Sequence, residues 1–461
     1  MAKKELLNFV LEENPYYKMS KINTDQYEQE FWDINETISE LSYLTHSYFR
    51  YYGKFPSKIG KLIIDDLDSR GRISPQNDFI LDNYVGSGTT LVESKLHNYD
   101  SFGVDINPFA ILACKVKTRN YDTILLRNYW QKLQTEITAY NHAILQPYSQ
   151  QLLFAETSDE IKSKIFEEIK TFKEENKDAG KWFSENAITG LAIIKCLLIN
   201  RPDNEIREFF ELAFFAVIRR VSTAYDGEVR PHVNKKKKER NVADAYSKKV
   251  AEMLDLMDKW NHITKTNVIS EARLCNNAST GNISNYIIQF KNKTKKQLGL
   301  VVSHPPYLNC FDYIPVFKLK FMWAAGFDNI FYGYDYKQIK EMEIKSYPAN
   351  SSENIEKYFK HNEIVYKIVF DNLRPGGYCC VVIGDCTLKE NLFEVHKTFI
   401  SMLEKIGFIT EKIAYRSTFY GTGQYAYKYR AGYNEDKNKK KMVYYFSKSH
   451  KKQVFNPCFF I

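Results

Sequence analysis

The sequence predicts an α/β protein in which an open, seven-stranded sheet carries a large, mainly helical insertion. Three observations lead there. Residues 79–108 read FILDNYVGSGTTLVESKLHNYDSFGVDINP: a short apolar run, a glycine turn, a segment with helical spacing and a second strand-like run. Residues 126–266 show the 3.6-residue period with dense charge, as at 156–175 and 250–260, and few strand signals. After them, runs of strand length resume at 268–274, 298–303 and 378–384, then at 409–416 and 442–447, which with 79–81 and 101–104 makes seven.

Composition bounds the class. A length of 461 residues suggests two or three domains, or one domain with a large insertion. Apolar residues at 44% and charged residues at 26% are values of a globular chain. The 33 tyrosines suit surfaces that stack on bases and also ordinary half-buried cores. A net charge of +9 leans toward a polyanionic partner, although solubility alone explains such a charge as often. The eight cysteines have no C-x-x-C spacing, so neither a zinc site nor a disulfide framework is expected and a reducing compartment fits. The first residues, MAKKELLNFVLEENP, lack the apolar core of a signal peptide, and no apolar run has the length of a membrane span. A cytoplasmic protein is therefore expected.

Taken in order, residues 1–45 read as a helical segment of mixed charge. Pro56 is a start signal for a helix in which Ile59, Leu62, Ile63 and Leu67 share a face. Entered through Lys54-Phe55-Pro56, that helix can lay Phe55 against a ligand; by itself it reads first as a packing helix with an aromatic staple. In the turn Gly86-Ser87-Gly88-Thr89-Thr90 the backbone can pass close under a ligand, and Asp105, ending the next strand, can accept hydrogen bonds from ribose hydroxyls. A phosphate-cradling loop needs a lysine where Thr89 stands, and a dinucleotide site usually needs a third glycine where Leu91 stands. S-adenosylmethionine, which has no phosphate, needs neither. A purely structural turn is the alternative.

Within the insertion, IRRVSTAYDGEVRPHVNKKKKER holds Arg219, Arg220, Arg230, Lys235, Lys236, Lys237, Lys238 and Arg240 beside Tyr225 and His232. Such a loop either tracks a phosphate backbone or is simply solvated. Residues 355–373 form an amphipathic helix closed by Arg374-Pro375-Gly376-Gly377. The last loop, residues 417–441, interleaves Tyr420, Tyr425, Tyr427 and Tyr429 with Lys428 and Arg430, which suits base stacking with phosphate contact or a polar hairpin at the sheet edge. At the end of the fourth strand stands VVSHPPYLNCFDYIPVF. Its two prolines stiffen the backbone and remove two donors, leaving carbonyls that can accept hydrogen bonds beside the aromatic plate of Tyr307. That group suits a planar, amino-bearing base drawn out of a nucleic acid. In an open α/β sheet it shares one crevice with the glycine turn.

With both stretches in view, the chain resembles the S-adenosylmethionine-dependent amino-methyltransferases of DNA, which methylate cytosine N4 or adenine N6. Asp82 to Thr90 resembles the cofactor motif DPFxGSGTT, Asp105-Ile106-Asn107-Pro108 the ribose-binding segment, and His304-Pro305-Pro306-Tyr307 the (N/D/S)PPY catalytic motif. Lys54-Phe55-Pro56 is similar to the motif that completes the methionine pocket, and SHPPYLNCFDY to the SPPYLNxxDY branch. The resemblance covers most of 46–125 and 268–420, with weaker likeness at Lys181-Trp182-Phe183-Ser184 and Ile218-Arg219-Arg220-Val221-Ser222. Asn83 and Tyr84 replace the usual Pro and Phe, and His304 replaces Asn, Asp or Ser at the chemistry.

The resemblance implies a Rossmann-like methyltransferase sheet, with the cofactor half at 46–125, target recognition at 126–266 and the catalytic half at 267–461. It assigns S-adenosylmethionine to Lys54, Phe55, Pro56, Asp82, Tyr84, Gly86, Gly88, Thr89, Thr90, Asp105, Ile106 and Asn107. Catalysis falls to His304, Pro305, Pro306 and Tyr307, with no metal. Double-stranded DNA is the expected partner, held by Arg219, Arg220, Arg230, Lys235, Lys236, Lys237, Lys238, Tyr425, Tyr427, Lys428 and Arg430; a cognate restriction nuclease is a candidate second partner. The serine-like context, and the space the His304 ring takes up, favour cytosine N4 over adenine N6. An RNA or protein-glutamine methyltransferase and an inactive DNA-binding protein are the rival readings.

Overall fold

The structure, a computed structural model, describes residues 10–32, 34, 36–145, 157–275, 282–331, 333–388, 391–417 and 440–448. Its main sheet has eight strands: β1 (Glu28–Phe31), β2 (Asp78–Asp82), β3 (Asp100–Asp105), β4 (Ser270–Leu274), β5 (Gln297–Ser303), β6 (Tyr378–Gly384), β7 (Phe408–Ser417) and β8 (Lys440–Lys448). Their order is β1-β7-β8-β6-β5-β2-β3-β4. β8 runs against β6 and β7, and every other neighbouring pair is parallel.

The seven expected strand segments all lie in this sheet, and the count is corrected by an eighth. The extra strand, β1, comes from the region expected to be helical. Its residues, EQEF, are all exposed, so no alternation marks them. They become a strand by pairing with the edge of β7, Glu28 opposite Lys412 and Phe31 opposite Tyr415. Elsewhere among described residues before 46, the chain makes 3-10 turns and one short helix, Pro15–Met19, rather than a long helix. By contrast, β2 and β6 are buried at every position, which is why they read as unbroken apolar runs.

Helix α1 (Ser57–Ser69) precedes β2, α2 (Thr89–Leu96) joins β2 to β3, and α3 (Pro108–Thr118) follows β3. The last is started by Asn107, whose side chain accepts from the Phe109 N–H at 3.1 Å, with Pro108 at the first helical position. Between α3 and β4 run α4 (Thr123–Leu145), α5 (Asp159–Glu175), α6 (Glu185–Ile199), α7 (Glu205–Val221) and α8 (Val242–Ile263). They share one apolar core with α3 and with residues 316–331. The Phe109 ring sits at its centre, within 5.9 Å of the rings of Phe215, Phe317, Phe321 and Phe331. A second core joins the sheet to α9 (Asn282–Thr294), α10 (Ser352–Asn372) and α11 (Val395–Ile406).

From β2 the sheet extends through β3 to β4 on one side and through β5 to β6 on the other. The order therefore reverses between β2 and β5, and a crevice opens beyond the carboxyl ends of these two strands. Asp82 and Ser303 end them. Among the described residues no helix is long and apolar enough to cross a membrane, and no group of three or more His, Cys, Asp or Glu could hold a metal ion.

Candidate active site

One wall of the crevice is the glycine turn, and two carboxylates shape it. Asp82 accepts from the Tyr84 N–H at 3.0 Å and from the Thr90 hydroxyl at 2.5 Å, folding the turn onto the start of α2. Asp105 accepts from the Gly86 N–H at 2.8 Å and from the Asn107 N–H at 2.9 Å, tying the tip of β3 to the same turn. Gly86 and Gly88 have φ of +48° and +80°, a region that favours glycine. A Cβ on Gly88 would stand 2.9 Å from the Cys114 sulfur of α3. Behind the turn the buried Lys117 donates to the Ser87 carbonyl at 2.8 Å.

A cleft opens in front of the turn, a concave site of the kind that takes small molecules. Of the expected cofactor residues, Lys54, Phe55, Tyr84 and Gly86 line it, as do Thr89, Asp105, Ile106 and Asn107. Asp82, Gly88, Thr90 and Pro56 do not: the first three build the turn from behind, and Pro56 caps α1. From the Pro-Pro-Tyr motif, His304 and Pro306 reach the cleft. Pro305 and Tyr307 stand beside them. The Tyr307 hydroxyl is 2.9 Å from His304 Nε2, their rings meet edge to face at 5.0 Å, and Phe55 packs on His304 at 5.2 Å. Tyr358 of α10 donates to the Pro306 carbonyl at 2.7 Å, so the motif is braced from the second core.

Sequence reasoning missed several walls. Tyr51, Gly53, Tyr313, Cys275, Ile283 and Glu343 also line the cleft. Gly53, at φ +86°, passes so close to Tyr313 that a Cβ would stand 2.6 Å from its ring. Tyr313 lay within the CFDY tail of the catalytic motif, which was a usable signal. Glu343 belongs to no motif; it accepts from the Tyr313 N–H and from the Ile314 N–H at 3.2 Å.

The cleft is short of water for its charges. Burial raises the carboxyl groups of Asp82 to about 7, Asp105 to about 6 and Glu343 to about 7. For Asp82 and Asp105 the hydrogen bonds just described oppose the rise. Burial also lowers Lys54 to about 8. Both amide atoms of Asn83 and the hydroxyl of Ser87 are buried in the cleft wall without a partner, which calls for a ligand with polar groups of its own. Asp105, Glu343 and Lys54 in one lining fit S-adenosylmethionine, which carries two positive charges and a carboxylate.

The basic loop is less open than its sequence suggests. Arg219 is buried, and its guanidinium donates to the carbonyls of Tyr225, Val229 and Glu228 at 3.1, 2.9 and 2.5 Å. Lys237 turns inward to the carbonyls of Arg219 and Ala224 and to Asp226 at 3.1, 2.7 and 2.8 Å. Both residues, expected as phosphate contacts, therefore also brace the loop, and Lys237 has all three of its hydrogens engaged there. Arg220, Lys235, Lys236 and Lys238 are exposed. Arg230 lies 3.8 Å from Asp312 and over the Tyr347 ring. Tyr425, Tyr427, Lys428 and Arg430 lie outside the described residues.

Comparison with known proteins agrees with this geometry. Residues 2–115 match the family model N6_N4_Mtase, described as DNA methylase. The Type II methyltransferase M.MvaI of Kocuria varians is 24% identical over 290 residues, covering 61% of this chain and 58% of that protein. The Type II methyltransferase M.MjaII of Methanocaldococcus jannaschii is 30% identical over 118 residues, 24% of this chain and 21% of that protein. The chain thus spans less than two thirds of either relative. Among solved structures, the rRNA methyltransferase aviRa from Streptomyces viridochromogenes aligns over 76% of this chain and 82% of its own at 10% identity and a TM-score of 0.26, too low a likeness to bear on the fold. The chain is thus similar to DNA methylases over residues 2–115 and to Type II methyltransferases over part of its length.

Proposed function

We propose that this protein is an S-adenosylmethionine-dependent DNA methyltransferase acting on an exocyclic amino group of a flipped base, with cytosine N4 favoured over adenine N6. The observation that carries the proposal is the meeting, at the β2/β5 switch point, of a cleft walled by the glycine turn and Asp105 with the His304-Pro305-Pro306-Tyr307 motif. The description of the matching family model, DNA methylase, supports DNA over RNA or protein as the substrate.

When bound, the cofactor supplies a methyl group activated by its sulfonium. The chain's own residues do the rest. Asp105 accepts from the ribose hydroxyls, Lys54 holds the carboxylate, and Asn83 and Ser87 complete the polar wall. Tyr307 offers its ring to the target base, while His304 and the Pro305 carbonyl accept the amine hydrogens and orient the nitrogen lone pair. Pro305 is assigned this role because Tyr358 already occupies the Pro306 carbonyl. Residues 126–266, with 416–441, are proposed to read the target sequence, and a cognate nuclease to share it.

The test is incubation with unmethylated DNA and labelled S-adenosylmethionine, digestion to nucleosides and identification of the product by mass. N4-methyldeoxycytidine is expected. N6-methyldeoxyadenosine would overturn the base assignment alone, and cofactor binding without transfer to any DNA would favour an inactive DNA-binding protein.

A further inference from the structure

A second cavity borders residues 49–52. Tyr51 walls the nucleoside cleft, whereas Phe49, Arg50 and Tyr52 wall this cavity. Consecutive Cα atoms are about 3.8 Å apart, so the two sites share one strip of backbone. The remaining wall is made by the end of α7 at Arg219 and Arg220, by Asp226 and Arg240 of the loop, and by Lys320. Five cations and one carboxylate thus line one open cavity.

Of these cations only Arg240 is paired with a carboxylate among the described residues. Arg219 is bound by carbonyl oxygens, as described, and Arg50 donates to the Asp226 carbonyl at 2.7 Å. The Tyr52 ring lies 4.9 Å from both guanidinium groups. Lys320 is 6% exposed and has no carboxylate or carbonyl partner among the described residues. Its ammonium instead lies 5.3 and 5.6 Å from the rings of Phe49 and Phe317. Asp226, the one acid, is already matched at 2.8 Å by each of Lys237 and Arg240. Burial, with Arg219 and Arg50 nearby, lowers Lys320 to about 7. A buried ammonium without a counter-ion is costly, and an anion entering the cavity removes that cost.

We infer that this cavity seats a backbone phosphate of bound DNA, with Arg50, Arg220 and Lys320 as its direct cations. The inference rests on the DNA-methyltransferase reading, and two observations favour a strand over a small anion. The exposed Lys235, Lys236 and Lys238 extend the positive surface along the same loop. Arg230 carries that loop to Asp312, the residue before the Tyr313 wall of the cleft. A strand seated here therefore runs past the lip where a flipped base would enter.

The experiment measures duplex affinity against salt for the full chain and for Lys320→Met, Arg220→Gln and Arg50→Gln. Lys360→Gln, an exposed pair partner of Glu356 on α10, is the control. Each cavity variant should weaken binding about 10-fold at low salt and make the log–log salt slope shallower by about 0.9, the loss of one phosphate contact. The control should change neither. Arg220 is exposed, so Arg220→Gln keeps the test decisive if Lys320→Met fails to fold. Unchanged slopes in folded variants of a parent that methylates DNA would overturn the phosphate seat and leave the enzyme reading intact. A parent that binds S-adenosylmethionine but no DNA would overturn both. Inorganic phosphate is titrated alone by calorimetry. Saturable binding that Lys320→Met abolishes, with DNA slopes unchanged, would reassign the cavity to a small anion.

Discussion

His304 Nε2 is the atom the proposed chemistry asks for, and in the structure it is bonded to the Tyr307 hydroxyl. Presenting that nitrogen to an amine requires the hydroxyl to give way. Tyr307→Phe keeps the stacking ring and removes the competitor, so single-turnover transfer should be no slower than in the parent. Tyr307→Ala and His304→Ala should each slow it about 10- to 1000-fold with cofactor affinity little changed. A Tyr307→Phe enzyme as slow as His304→Ala would mean that the hydroxyl itself is needed. Glu343 makes a pH prediction. Burial pushes it up from the ordinary glutamate value of 4.5 to about 7, so the folded state holds the extra proton. Its contribution to stability is present below about pH 4.5 and is lost as pH rises through 7. Glu343→Gln can still accept from Tyr313 and Ile314. The melting temperature of the ligand-free variant should therefore fall less between pH 5 and pH 8 than that of the parent.

At the level of elements, the glycine turn and the basic loop are each held by a few groups. Gly88→Ala puts a side chain at φ +80° and against Cys114. The backbone term alone is about 1–2 kcal/mol, with the contact added to it. Gly88→Ala combined with Cys114→Ala should recover the contact part only, as read from denaturant midpoints. In the loop, Lys237→Met removes three hydrogen bonds and leaves Asp226 half-matched. A loss of about 1–3 kcal/mol is expected. Glutamine at Lys235, Lys236 and Lys238 should leave stability within about 0.5 kcal/mol, as for other exposed sites. Equal effects in the two sets would contradict the assignment of Lys237 as a brace.

Across the whole molecule, the helices α4–α8 share one apolar core with α3, the helix that follows β3, and that core passes through Phe109. Phe109 is fully buried, one residue beyond the Pro108 that starts α3 and two beyond the cleft residue Asn107. Phe109→Ala should cost about 3–5 kcal/mol, the range for deleting a buried phenyl ring. Because the ring touches both the 205–221 helix and residues 317–331, the loss should appear equally in probes placed on the helical layer and on the sheet. Two separate unfolding transitions would show the layers to be energetically independent.

What the chain order alone determined was local. The turn with its positive-φ glycines, the acid ending β3, the seven main strand segments and the rigid Pro-Pro-Tyr each follow from neighbours in sequence, because strand burial, turn chemistry and proline geometry are short-range properties. Only the folded molecule decided the rest. β1 is a strand because β7 offers it an edge, and Glu343 enters the cleft because residues 313 and 314 supply its donors. Arg219 and Lys237 become braces because carbonyls elsewhere in the loop claim their hydrogens. Lys320, one lysine among many in the sequence, acquires its meaning from two aromatic rings beside it and four arginines that the fold places around the same cavity. Charge and hydrogen-bonding capacity are written into each residue, but whether they are spent inside the protein or offered to a ligand depends on partners distant in the chain.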